Sequence, residues 1–296
     1  MTTIQRIIKY FATVLAILII VGIISAILLS TNIFSDILSI ARENIGVSSS
    51  EEKSKIEIGN TQNNNKVETS KKYNKEFENS QITSMKIDLA YAVLTIRQGE
   101  KFAVEANTTN IESKQNSNQL VVKEKNANLY VKRNPRTVIV TLPKNVVLEN
   151  ARIKAGSGEI QIEKLDCQNL DLSMGAGKMT VQELQVVQKA KIEGGAGKVE
   201  ILSGEMNNLD LEMGIGSFKL VTVLTGNNKI EAGVGKLDLN LTDGIENYTI
   251  KASKGIGAIT ISGKEVKDGS TYGQGKTNVK INGGIGNITI EGEKHD

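Results

Sequence analysis

Three stretches set glycine beside lysine in a way that bears on phosphate chemistry. Gly-Ala-Gly-Lys occurs at residues 175–178 and 195–198, and Gly-Gln-Gly-Lys-Thr at 273–277. A phosphate-cradling loop needs G-x-x-x-x-G-K-[ST] between a strand and a helix, so that backbone N–H groups and the helix N-terminus converge on the anion. Counting back from Gly275, the required glycine falls on Ser270, and Gly269 comes one residue too early. The run after Lys276, TNVKING, alternates like a strand. These lysines therefore read as exposed residues at a repeated turn.

Carboxylates are the next candidates. Asp166, Asp171, Asp210, Glu212, Asp238 and Asp243 lie in or beside strand-like runs. A polysaccharide-cleaving site would bring two of them together in a groove. Lys191, Lys219, Lys229 and Lys236 are interspersed at outward positions, which reads as a mixed, solvated sheet face. A calcium β-roll needs G-G-x-G-x-D at a nine-residue period. From Gly194 and from Gly283 the Asp position is taken by Val199 and Ile288, and calcium requires oxygen ligands. One histidine (His295) and one cysteine (Cys167) leave no zinc cluster, no Cys-His or Ser-His pair and no disulfide within the chain. No catalytic, cofactor-binding or metal-binding residue is assigned, and the expectation is a protein that is not an enzyme.

The glycines belong to a larger pattern. Seven Gly-x-Gly triplets begin at Gly156, Gly175, Gly195, Gly214, Gly233, Gly255 and Gly284. The first five are 19 or 20 residues apart, and the gaps then open to 22 and 29. At +4 and +6 from each first glycine stand Ile160/Ile162, Met179/Val181, Val199/Ile201, Phe218/Leu220, Leu237/Leu239, Ile259/Ile261 and Ile288/Ile290. Three residues before each stand Ile153, Leu172, Ile192, Leu211, Ile230, Ala252 and Ile281. Apolar residues two apart share one face of a strand, and self-similarity at a fixed period marks a repeat architecture. The expected fold is an all-β, β-helix-like parallel β-solenoid of about 19–20 residues per coil. Stacked coils about 4.8 Å apart share an apolar interior that no coil could bury alone. The competing arrangement, a meander of antiparallel hairpins, would place Asn-Gly or Asp-Gly pairs at the turns, and Asp243-Gly244 stands outside this register.

A net charge of +3 with mixed signs and an aromatic content of 4% without tryptophan argue against nucleic acid as a partner. Residues 11–29 carry no charge, and Arg6 and Lys9 precede them. That length spans a bilayer core of about 30 Å, and the charge bias sets the N-terminus inside. The expected organisation is a cytoplasmic N-terminus at 1–10, a transmembrane signal anchor at 11–30, a juxtamembrane helix at 31–46 and a flexible polar linker at 47–81. An N-terminal cap with irregular β coils follows at 82–149, and regular repeats at 150–296. Solenoid ends need blunting against polymerisation. The polar C-terminus EGEKHD suits that task, and TYGQGKTNVKING reads as a loop bulging from the last coil.

The run VIVTLPKNVVLENARIKAGSGEIQIEKLDCQNLDLSMGAGKMTVQEL, a strand ending in proline followed by G-x-G-x-I-x-I coils, resembles the putative adhesin domain family of bacterial envelope proteins. The N-terminal membrane segment with a domain outside is also similar to Lia-type envelope-stress proteins. The resemblance covers residues 82–291 and supplies no catalytic residues. It implies adhesion or association with an envelope protein or cell-wall component, in the context of envelope stress. The residues by themselves support a display scaffold held at the cell membrane with its C-terminal domain extracytoplasmic. Two other readings stay open. A surface polysaccharide lyase or hydrolase would gather acids in one aromatic-walled groove, and a self-assembling structural protein would leave its terminal coils uncapped.

Overall fold

The computed structural model describes residues 73–78, 81–125 and 136–292. The expected membrane segment at 11–30, its cytoplasmic leader at 1–10 and the juxtamembrane helix at 31–46 lie outside these residues. The described part is all β apart from short helical turns.

Alternation decides the elements. Strand β7 (Leu148–Ile201) runs through three repeats without a break. On one side it pairs in parallel with β2 (Ser84–Gly99), Ile87 opposite Ile153 and Leu94 opposite Ile160. On the other it pairs in parallel with β9 (Asp210–Thr225), Ile192 opposite Leu211 and Val199 opposite Phe218. β9 continues the stack to β10 (Asn227–Glu231) and β11 (Val234–Leu241), with Leu211 opposite Ile230 and Phe218 opposite Leu237. A third segment closes each coil: Val186 of β7 lies near Met206 of β8 (Gly204–Asn207), which faces Leu224 of β9. The inward residues of all three segments, among them Ile160, Ile192, Val199, Leu237, Leu184 and Met206, are buried in one continuous core. The expected solenoid is therefore present, with its aliphatics in ladders.

Both ends depart from chain order. β16 (Thr277–Asn282) and β17 (Ile285–Gly292) lie between β10/β11 and the rung of β12 (Tyr248–Ser253) and β13 (Ile259–Ile261). Ile281 thus faces Ile230 on one side and Ala252 on the other, and Ile288 faces Leu237 and Ile259. The seventh triplet in sequence is sixth in space. The outer edge is then covered by antiparallel pieces, β14 (Lys264–Glu265) on β13 and β15 (Thr271–Tyr272) on β12. At the opposite end β5 (Gln119–Glu124) and β6 (Thr137–Pro143) pair in parallel outside β2. Antiparallel β4 (Ile111–Asn116) then covers β5, β3 (Phe102–Ala106) covers β6, and β1 (Tyr73–Phe77) covers β3.

These arrangements correct several expectations. β1 falls inside the stretch expected as linker, because Phe77 has a buried place against the cap. β2 lies inside the stretch expected to be irregular, yet it is a full rung in register with β7. The C-terminal Glu291 and Gly292 pair with β11 inside the stack and do not blunt its end. The stretch read as a bulged loop supplies β15 and β16 instead. The core extends from Phe77 to Ile290 within the single compact unit Lys66–Asp296, so this unit carries everything its fold needs.

Candidate functional site

The triplet corner is the feature repeated most faithfully. Gly197 has φ 134°, a region open to glycine. A Cβ there would overlap the carbonyl oxygen of Gly177 in the rung before, as one on Gly216 would overlap that of Gly197. Close backbone stacking at the corner thus requires glycine on every inner rung. β2 carries Ala90 and Ala92 in the same places. Along β5 and β6 the pairing offset from β2 grows from 35 to 44 residues, as the pairs Ser84↔Gln119 and Val93↔Thr137 show, so the regular corner is not repeated there. Buried Glu124 and Arg136 face each other at 3.0 Å across this break, and Glu124 also accepts the Ala90 N–H at 3.2 Å.

Outward positions carry paired charges. Lys191 reaches Glu193 at 2.5 Å, Lys198 reaches Glu200 at 2.9 Å, Lys229 reaches Glu231 at 2.8 Å and Lys236 reaches Asp238 at 2.7 Å. Each pair is two residues apart on one strand face. The bond from Lys198 holds the Glu200 carboxyl below its ordinary range, and that from Lys229 does the same for Glu231. Lys191 and Lys229 are raised in turn, each first by its hydrogen-bonded glutamate.

The structure does not bring the six sequence candidates together. Asp171 accepts from Arg152 at 2.8 Å, Asp238 pairs with Lys236, and Asp243 accepts a short hydrogen bond from Tyr248. Asp166 lies 3.6 Å from Lys164, whose ammonium also meets Glu183 at 2.7 Å. Burial pushes the Asp166 carboxyl up against the opposing pull of Lys164. Asp210 keeps one buried oxygen without a hydrogen-bond partner. Glu212 faces Glu193 in the next rung, and the two line an open groove of about 460 Å³ with Ser173, Met174, Met213 and the corner glycines. A Cβ on Gly194 would meet the Phe218 ring, which occupies the space beside it. None of the groove's lining residues is aromatic. Cys167 is buried, and burial pushes its thiol up to about 12. The lysines of the two Gly-Ala-Gly-Lys turns, Lys178 and Lys198, are exposed, and Lys276 precedes strand β16.

One feature of the corner escaped the sequence reading. The middle residues of the triplets stack outward, Ile215 opposite Val234, Val234 opposite Ile285, and Ile285 bridged to Ile256. Ile215 is 41% exposed and Ile256 70% exposed. The signal was present in the sequence: Ser157, Ala176 and Ala196 in the early triplets give way to β-branched aliphatics in the later ones.

Fold and corner together define a capped parallel β-solenoid with ion-paired outer faces and an aliphatic ridge along one edge. The chain belongs to the Toastrack DUF4097 family, which it matches over residues 36–282. It is similar to solved structures of a putative cell adhesion protein from Clostridium sporogenes (20% identity over 75% of this chain and 98% of that one, TM-score 0.33). Similar too are a putative adhesin from Bacteroides fragilis (15% identity, 75% and 96%, TM-score 0.39) and another from Parabacteroides distasonis (16% identity, 75% and 96%, TM-score 0.32). No curated protein matches the chain. The family itself rests on the Toastrack DUF4097 match, which spans most of the coils expected from the sequence.

Proposed function

We propose that this protein is an extracytoplasmic scaffold, anchored in the cell membrane through residues 11–30, that works by contact with a partner in the cell envelope and not by catalysis. The observation that carries this reading is the unbroken stack from β5/β6 to β12/β13, closed at both ends by antiparallel strands. Covered ends disfavour growth by added coils, which leaves the large charge-paired sides for other molecules. An association with envelope stress and an adhesive role follow from the resemblance and belong to the same proposal. Capping weighs against the self-assembly reading, which expected bare terminal coils.

The test is cross-linking in intact cells. A photoreactive residue replaces Lys219 or Lys229, both exposed on outer faces, and captured partners are identified after detergent extraction. Recurrent capture of one envelope protein or wall component from one face is the expected result. Sugar fragments released by the purified unit, with loss of release in Glu193→Gln or Glu212→Gln, would overturn the reading in favour of hydrolysis at the groove. Surface proteolysis of whole cells checks the orientation, since the unit should be cleaved from outside.

A further inference from the structure

The C-terminal end of the stack differs in charge from its middle. Along the middle rungs Lys191, Lys198, Lys229 and Lys236 each have a carboxylate partner. At the C-terminal end, residues 248–282 contain Lys251, Lys254, Lys264, Lys267, Lys276 and Lys280 against only Glu265 and Asp268. Both acids are held at one residue. The Lys254 ammonium pairs with Glu265, and the Lys254 N–H donates to Asp268 at 2.8 Å. Lys251, Lys264 and Lys267 are exposed and have no carboxylate partner among the described residues, whereas Lys280 acts on Glu231. Lys280 and Lys251 occupy adjacent rungs, and like charges so placed repel.

These lysines flank, on both sides in the chain, the most exposed large aliphatic side chain found among the described residues. Ile256, 70% exposed, lies two residues after Lys254 and ends the ridge Ile215–Val234–Ile285–Ile256. A soluble polyanion would use the lysines but gain nothing from the isoleucines. A protein interface needs about 800 Å² per partner, more than a ridge one residue wide and about 15 Å long provides. Aliphatic groups projecting among lysines match the boundary of an anionic bilayer, where apolar insertion and attraction to lipid phosphates act together.

We propose that the C-terminal end of the solenoid docks on the surface of an anionic phospholipid bilayer. Ile256 enters the headgroup layer, and Lys251, Lys264 and Lys267 meet the lipid phosphates. This contact is separate from the N-terminal anchor and from the partner-binding faces proposed above.

The test uses the unit Lys66–Asp296, which carries the whole core and lacks the apolar anchor. It is sedimented with vesicles of phosphatidylglycerol and phosphatidylcholine, and with vesicles of phosphatidylcholine alone. The expected result is binding to the anionic vesicles only, weakened by salt. Lys264→Gln and Lys267→Gln should each weaken it about fivefold, and Ile256→Asp about tenfold. Val187→Asp, at an exposed site elsewhere, should leave binding unchanged. Melting curves establish that each variant is folded, and the two lysine variants alter only exposed side chains. Equal binding to both vesicle types, or none to either, overturns the proposal. So does retention on heparin with no binding to vesicles, which would identify a site for soluble polyanions.

Discussion

Ile230 faces Ile281 in parallel register, although Ala252 follows it sooner in the chain. Ala252 instead packs on the far side of Ile281. The last strand pair is therefore wedged between two rungs that precede it, and the connection at 242–247 passes one rung position to make room. The same device recurs at the other end, where β2 lies inside a rung completed later by β5 and β6. In both places the outermost parallel rung is locked from within and covered by antiparallel strands from outside.

This wedge predicts that the C-terminal strands are not dispensable. Ending the chain after Lys276 leaves the edges of β11 and β12 unpaired and uncovers Ile230, Leu237 and Ala252. The fragment 66–276 should associate or precipitate, whereas Lys66–Asp296 stays monomeric. Sedimentation velocity distinguishes the two, and a monomeric fragment with an unchanged melting temperature contradicts the wedge.

Glycine at the corner should matter by rung. Gly197→Ala puts a methyl against the Gly177 carbonyl at a positive φ and should cost about 3 kcal/mol or more. Ala92→Gly in β2 should cost only about 1 kcal/mol, from backbone entropy and a lost methyl. Urea unfolding of the two variants measures the contrast.

Tyr248 pins the rung that is out of order. Its hydroxyl donates to Asp243 in the connecting turn and accepts the Leu224 N–H at 3.0 Å. Burial first, and then the bond to Asp243, raise its phenol above the usual range. Tyr248→Phe leaves a buried N–H without a partner and should cost about 1–3 kcal/mol. An unchanged midpoint in urea would show that the hydroxyl contributes nothing.

Asp166 gives a pH signature. Its raised carboxyl binds protons more tightly in the folded state than in the unfolded chain, whose reference is 3.8. Stability is therefore larger below that reference and declines as pH climbs from it through the raised folded value. Asp166→Asn removes this decline, while Lys164 retains Glu183 at 2.7 Å. Thermal melts of variant and wild type should diverge, in favour of the variant, between pH 3 and neutrality. Parallel curves count against a raised Asp166.

Cys167 should be inert. A buried thiol pushed up to about 12 offers almost no thiolate at neutral pH. Thiol reagents should modify it only as fast as the unit opens, and at once in denaturant. Fast modification of native protein would show that the third segment of the coil is loose.

The repeat was legible because everything it needs is local. A triplet with apolar residues at +4 and +6 reports one bend and one strand face, and each copy reads the same. That was enough for the all-β solenoid, its period and the inward ladder from Ile160 to Ile288. For Asp238 the solvated face was legible for a similar reason: its partner Lys236 stands two positions away on the same strand.

Spatial order was not legible, and the cause lies in the same uniformity. Each inner rung offers its neighbour an identical edge, so Gly233 stacks as well beneath Gly284 as it would beneath Gly255. Nothing in the triplets says which comes next. Only the connections and caps decide, among them the turn pinned by Tyr248 and the covering strands β14 and β15. The basic end with Ile256 follows from that choice, because the chain's lysine-rich stretch becomes an end of the stack only when the final strands fold back inside it. Composition and periodicity determined what a rung is; the closing of the ends, a matter of long-range pairing, determined which residues the protein presents there.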